Sequence, residues 1–348
     1  MIISNYQYFL LFVSSFTLVG LLTPVMRIIA IKKKIYDLPN STHKSHLIPT
    51  PYLGGVAIIL GISLVLLAAI VFSPIARDNL YTMLSVLIPA LVLGLIGLWD
   101  DIKGLPALPR LLGQSLVGVI ISTLLINTGT VGNPTGSSLL DILLTVFWIV
   151  GICNSINFFD NMDGGAAGTV AFSSAGLAFL AWHEDQSLLA ALALITAGAT
   201  LGFLLWNKSP AKIYMGDTGA LFLGVLIASL AIRLDPSADN KAISLSIPLL
   251  LLAIPILDTT VVVISRLLRG ISILEGGQDH LSHRLVIKGF TRKTSVVILW
   301  LLSITFVILA ILIAVFPFQF TFLALLLIAI LWLLLLIYFL KIPIPVKK

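Results

Sequence analysis

The stretch FTFLALLLIAILWLLLLIYFL, Phe320 to Leu340, contains no charged side chain. A helix rises ~1.5 Å per residue, so this segment is long enough to cross the ~30 Å hydrocarbon core of a bilayer. A strand of a membrane barrel would alternate apolar and polar residues, and here the apolar residues run together. Ten further apolar segments lie near 5–30, 53–73, 80–99, 111–127, 139–157, 165–182, 187–206, 218–234, 242–265 and 295–315. The 348-residue chain is 59% hydrophobic and 10% charged, against ~25% charge in an ordinary soluble domain. It has too few polar side chains to coat a soluble globule and is too apolar to be disordered. The expectation is an all-α polytopic membrane protein of about eleven transmembrane helices, forming one domain over residues 1–348. The single cysteine, Cys153, rules out an intramolecular disulfide.

Charge sets the orientation. No Lys or Arg precedes Arg27, and Lys32-Lys33-Lys34 follows the first segment. The positive-inside rule then puts the N-terminus outside and that loop in the cytoplasm. Alternating through eleven spans leaves the C-terminus cytoplasmic. All but three of the 21 Lys and Arg residues fall at the inner face, the exceptions being Arg77, Arg233 and Lys241. This bias accounts for the net charge of +6 without any nucleic-acid partner. Asn207-Lys208-Ser209 matches a glycosylation sequon but falls on the cytoplasmic side and reads as chance.

The inner loops also hold most of the acids: Asp37, Asp100, Asp101, Asp160, Asp163, Asp217, Asp258, Glu275 and Asp279. Carboxylates do little to set topology, so their concentration at one face points to chemistry there. Asp100-Asp101 ends the third segment, where adjacent carboxylates repel unless a cation or a proton relieves them. Asn154, Asn157, Asp160 and Asp163 recur every three residues, so a helix would stack them along one slowly drifting face. They are hard oxygen donors, suited to Mg²⁺ or to a nucleotide. In Lys212-Ile213-Tyr214-Met215-Gly216-Asp217-Thr218-Gly219 an acid opens the eighth segment. Its role is a metal ligand or a helix cap. His280-Leu281-Ser282-His283-Arg284 offers contacts for phosphates. Asp258 lies within the ninth segment, where it serves a substrate or pairs with Arg266 two helical turns on.

Together with Pro49-Thr50-Pro51-Tyr52-Leu53-Gly54-Gly55, these segments resemble the polyprenyl-phosphate N-acetylhexosamine-1-phosphate transferase family over nearly the whole chain. The resemblance implies transfer of a sugar-1-phosphate from a UDP-N-acetylhexosamine to undecaprenyl phosphate, with release of UMP. The enzyme would sit in the bacterial plasma membrane with its active site facing the cytoplasm. It implies Mg²⁺, with Mn²⁺ as a substitute, held at Asn157 and Asp217. Asp100, Asp101 and Asp160 form the implied catalytic set. Asp163, Tyr214 and Lys44 are assigned to the nucleotide, and His280, His283 and Arg284 to phosphate and sugar. A homodimer is implied as well.

The family's muramoyl-pentapeptide branch usually carries three consecutive histidines in the last loop, where this chain has His280-Leu281-Ser282-His283. That departure points to a UDP-N-acetylglucosamine-type donor, with the muramoyl-pentapeptide reaction as the alternative. A secondary transporter, the rival of another class, would place its site near the midplane and often shows inverted repeats. Here the polar clusters lie at one face and no repeat is visible.

Overall fold

The computed structural model describes residues 3–37, 49–72, 77–127, 135–237, 241–274, 276–316 and 320–344. Thirteen helices are found among them: α1 (Asn5–Lys33), α2 (Gly54–Phe72), α3 (Arg77–Lys103), α4 (Ala107–Asn127), α5 (Ser138–Phe159), α6 (Gly165–His183), α7 (Ser187–Asn207), α8 (Gly216–Ile232), α9 (Lys241–Leu251), α10 (Ala253–Leu268), α11 (Leu281–Ile287), α12 (Arg292–Val315) and α13 (Thr321–Leu340). Two short strands, β1 (Tyr36–Asp37) and β2 (Thr50–Pro51), pair antiparallel, Tyr36 against Pro51 and Asp37 against Thr50.

Helix ends follow local chemistry. Ser4 caps α1 by accepting the Gln7 N–H, and the Gln7 side chain returns a bond to the Ser4 backbone, a complete capping box. At its other end Lys34 takes a left-handed conformation (φ 56°) that closes the last turn. Long apolar side chains on α1, α2, α3, α4, α5 and α13 are exposed on the isolated protein. An apolar belt of this extent marks a surface that faces lipid. The centre is built differently. α8 is buried along nearly its whole length and packs against α2, α3 and α5. α6 and α7 bury Gly, Ala, Ser and Thr, small residues that let helix backbones approach closely without a polar cost to the bilayer.

Among the described residues nine helices are long and apolar enough to cross a membrane. The expected eighth span is the 17-residue α8, which at ~1.5 Å per residue falls short of a ~30 Å core. The protein encloses it, so it need not match the lipid thickness. The expected ninth span is broken: α9 and α10 meet at an angle of 77° around Leu252. Pro248 and Pro255 flank the break, each without the N–H that would continue the ladder. The eleven apolar segments therefore resolve into nine long helices, one bent pair and one short central helix.

Candidate active site

The C-terminal ends of α3 and α5 and the N-terminus of α8 meet at one end of the bundle. α8 starts without a cap from its own chain neighbourhood, since Met215 at the cap position makes no side-chain bond. The cap comes from α3. Asp101 Oδ1 accepts the Asp217 N–H (2.8 Å), and Oδ2 accepts the N–H (3.0 Å) and hydroxyl (2.6 Å) of Thr218. A carboxylate there satisfies orphan amides and meets the positive end of the helix dipole. Gly216 sits at φ +68°, and a Cβ on it would collide with that carboxylate, so the turn requires glycine. The Pro49–Gly55 segment holds the same loop through its backbone. Tyr214 N–H donates to Pro51 O, Gly54 N–H to Tyr214 O and Gly55 N–H to Met215 O, each at 2.9 Å.

Asp217 lies between three helices. Asn157 of α5 donates its amide to Asp217 Oδ1 at 2.8 Å. Arg110 of α4 contacts Asp217 Oδ2 at 2.5 Å and Asp100 Oδ2 at 2.8 Å through one nitrogen, Nη1. Asp100 also accepts the Leu105 N–H at 2.5 Å. A single guanidinium thus ties Asp100 of α3 to Asp217 of α8. Asp101 thus both caps α8 through its two oxygens and lines the cavity described below.

The turn between α5 and α6 contributes the remaining acids. α5 ends at Phe159, so the three-residue repeat does not continue as one helical face. Asn154 turns to Gln114 of α4 (2.6 Å), away from the others. Asp163 accepts the Ala211 N–H at 3.0 Å. Buried Asn207 fastens this turn, accepting from Gly164 N–H and donating to Ile213 O, both at 3.0 Å. Burial, and next the charges of Asp217, Asp101 and Asp163, push the Asp160 carboxyl well above the usual carboxylate range. Burial and Asp163 likewise push the Tyr214 phenol up to about 12.

These groups line a cavity of about 210 Å³. Asp101, Asn157, Asp160, Asp163, Tyr214, Asp217 and His283, to each of which the sequence assigns a role, all reach it. Asp37, Tyr52 and Asn161, which were not assigned to the site, line it too. Asp100 stands behind, reached through Arg110. Lys44 lies outside the described residues.

The last loop supplies one wall and two corrections. His283 lines the cavity, and neither of its ring nitrogens has a hydrogen-bond partner. Burial, and next the nearby His280, pull it down to about 4, so it is a neutral imidazole at neutral pH that offers one donor and one acceptor. His280 stands behind it, with Nδ1 2.7 Å from Asp258 Oδ2, and Asp258 Oδ1 accepts the Leu281 N–H at 2.7 Å. The pair of Asp258 with Arg266, one of the two alternatives the sequence leaves open, is therefore not formed. Arg266 instead clasps Asp279 in a two-point contact (2.9 and 2.7 Å), joined by Arg269 at 2.7 Å. Arg284 does not face the cavity. It is fully buried and donates to Asp279 O, Phe339 O and Ile342 O, closing the C-terminal end of α13. Carbonyls at a helix C-terminus attract a cation as a phosphate does, and the sequence alone does not separate the two.

The donor set suits a magnesium ion. Among the described residues no three His, Cys, Asp or Glu side chains are grouped to chelate a metal alone. Mg²⁺ needs no such cage, because it keeps waters and substrate phosphates in its shell beside one or two carboxylates. Asp217 and Asn157 offer that minimal oxygen set. Burial first, and then the charges of Asp217, Asp101 and Asp163, raise the Asp160 carboxyl beside this pair.

Residues 83–235 match the glycosyl transferase family 4 model. A Bacillus subtilis protein named as a probable undecaprenyl-phosphate N-acetylglucosaminyl 1-phosphate transferase is 34% identical over 86% of this chain and 83% of its own length. A Mycobacterium leprae decaprenyl-phosphate N-acetylglucosaminephosphotransferase is 33% identical over 74% of this chain and 71% of its own. A phospho-N-acetylmuramoyl-pentapeptide-transferase of Bacillus subtilis is 33% identical over 64% of this chain and 72% of its own.

Proposed function

Because the chain belongs to glycosyl transferase family 4, the polyprenyl-phosphate N-acetylhexosamine-1-phosphate transferases, we propose that it transfers N-acetylglucosamine-1-phosphate from UDP-N-acetylglucosamine to undecaprenyl phosphate. UMP leaves, and the product is the first lipid-linked intermediate of a cell-surface glycan. The observation that carries this reading is the convergence of Asp160, Asp163, Tyr214, Asp217 and Asn157 on one cavity at one end of an apolar bundle. The basic residues of the sequence gather at that same end, which supports a cytoplasmic site in a bacterial plasma membrane.

A phosphate oxygen of the acceptor attacks the β-phosphorus of the donor. The bond from that phosphorus to the bridging oxygen breaks, and UMP keeps the electron pair. Asp217 and Asn157 would hold Mg²⁺, which neutralises the diphosphate when bound. Tyr214 and Asp163 flank the nucleotide end of the cavity. Asp160, whose carboxyl burial and the neighbouring acids hold above the usual carboxylate range, is the group assigned to take the proton from the lipid phosphate. Arg110 keeps Asp100 and Asp217 from repelling one another. Neutral His283 has both ring nitrogens free for sugar hydroxyls.

The test is UMP release by purified protein supplied with undecaprenyl phosphate, Mg²⁺ and a panel of UDP-sugars. UMP from UDP-N-acetylglucosamine, abolished by EDTA, is expected. UMP only from UDP-muramoyl-pentapeptide would assign the chain to the alternative reaction. Asp163→Ala is expected to raise KM for the UDP-sugar by about tenfold or more, with KM for the lipid nearly unchanged, as a lost charge-assisted hydrogen bond predicts. Equal changes in both constants would remove Asp163 from the nucleotide. Arg110→Ala is expected to lower kcat by roughly 10²-fold, because two acids then face each other without the shared guanidinium. An unchanged kcat would mean that the bridge is only structural.

A further inference from the structure

We propose that the end of the bundle opposite the catalytic cavity binds one phospholipid, with its headgroup phosphate on Arg233 and an acyl chain in the groove between α1 and α2. Arg233 follows the last turn of α8 and lines a cavity of about 300 Å³ between the N-terminal ends of α3 and α7. It is only 8% exposed. Nη1 donates to Ser229 O and Nη2 to Ser85 Oγ, both at 3.0 Å. Both partners are neutral, and among the described residues no carboxylate pairs with this guanidinium. Arginine carries five N–H donors, so most of its donor capacity remains, and a buried cation without a counter-ion is costly. Burial lowers its pKa only to about 10, which leaves it charged at neutral pH.

The rest of the cavity suits an anion of single charge. Asn79, Thr82 and Ser187 add polar groups to the wall. α7 begins there at Gln186 without a side-chain cap, and its Ser187 N–H donates to Asp185 O at 2.9 Å. The one acid, Asp185, lies exposed at the rim and does not reach Arg233. Its charge disfavours a dianion, so the monoanionic diester of a phospholipid fits better than free phosphate or a phosphomonoester.

A second cavity nearby suits the chain of such a lipid. A groove of about 630 Å³ runs between α1 and α2, walled by Leu10, Leu11, Leu21, Leu64, Ala68 and Phe72 among others. Tyr8, next to the groove residue Gln7 on α1, donates its hydroxyl at 3.3 Å to the carbonyl of Ser187, which lines the Arg233 cavity. A polar cavity with an unpaired cation beside an apolar groove has the two-part chemistry of a diacyl phospholipid.

The experiment is native mass spectrometry of the delipidated full chain in detergent, titrated with dioleoylphosphatidylethanolamine, dioleoylglycerol or inorganic phosphate. One equivalent of the phospholipid is expected to bind, with neither of the other probes replacing it. Arg233→Gln is expected to weaken that binding by about tenfold or more. Ala68→Trp, which fills the groove and leaves Arg233 in place, is expected to weaken it as well. Unchanged affinity in Arg233→Gln, or dioleoylglycerol binding as tightly as the phospholipid, would overturn the proposal. Displacement by inorganic phosphate would overturn it in favour of a free-anion site. If Arg233→Gln fails to fold, Ala68→Trp decides: undiminished binding sinks the idea.

Discussion

Asp217→Ala is expected to lower UMP release by about 10³-fold or more, the scale of losing a metal-held or directly electrostatic group from a phosphoryl-transfer site. The fold should survive, because Asp101 caps α8 through the backbone N–H of Asp217 and through Thr218, not through the Asp217 side chain. Thermal unfolding within a few degrees of the parent, together with lost turnover, is therefore the predicted pair of results. Turnover near the parent level would remove Asp217 from the reaction. A collapse in thermal stability would show instead that the Arg110 and Asn157 contacts to this carboxylate hold the bundle end together.

The second large effect is on stability. Arg266 and Asp279 are almost fully buried, at 3% and 4% side-chain exposure. Burial pushes the Asp279 carboxyl up, but the Arg266 and Arg269 guanidiniums outweigh it and hold the group at about 2. A carboxyl depressed from ~3.9 in the unfolded chain stabilises the fold fully above that value and loses the contribution as pH falls toward about 2. Arg266→Ala strands a buried charge with one half-exposed partner and is expected to cost about 3 kcal/mol, or several degrees of melting temperature. The acid-dependent share of stability should vanish in the same variant. The double change Arg266→Met with Asp279→Leu should recover much of the loss, since well-packed apolar replacements of buried ion pairs are often neutral. A single variant as stable as the parent would show that Arg269 alone suffices. The loop so fastened carries Gly277 and His283 into the cavity wall, so a raised donor KM should accompany the lost stability.

Much of the site was legible as motifs. Asn157, Asp160, Asp163, Tyr214, Asp217 and His283 were singled out from residue type and sidedness, and they share one cavity. Arg110 was hidden because a basic residue near a cytoplasmic helix end already has a full explanation in the positive-inside rule. Asn207 was hidden behind a chance sequon, although its amide ties two site loops together. The capping by Asp101 and the buried place of Arg284 were hidden for one reason. A carboxylate that caps a helix N-terminus and one that meets a ligand look alike in sequence, as do an arginine on carbonyls and an arginine on phosphate.

Apolar run length and charge bias, read along the chain, were enough to determine a polytopic helical membrane protein with its polar chemistry gathered at one face. Both are one-dimensional quantities, because each segment meets lipid or water largely on its own account. Partner choice was not accessible in this way. That Asp258 takes His280 and Arg266 takes Asp279, that the ninth segment breaks by 77°, and that α8 stays short inside the bundle were decided by the tertiary structure. Burial makes each ionic or polar group take whichever complement the neighbouring helices bring within about 3 Å, and that is a property of the packing.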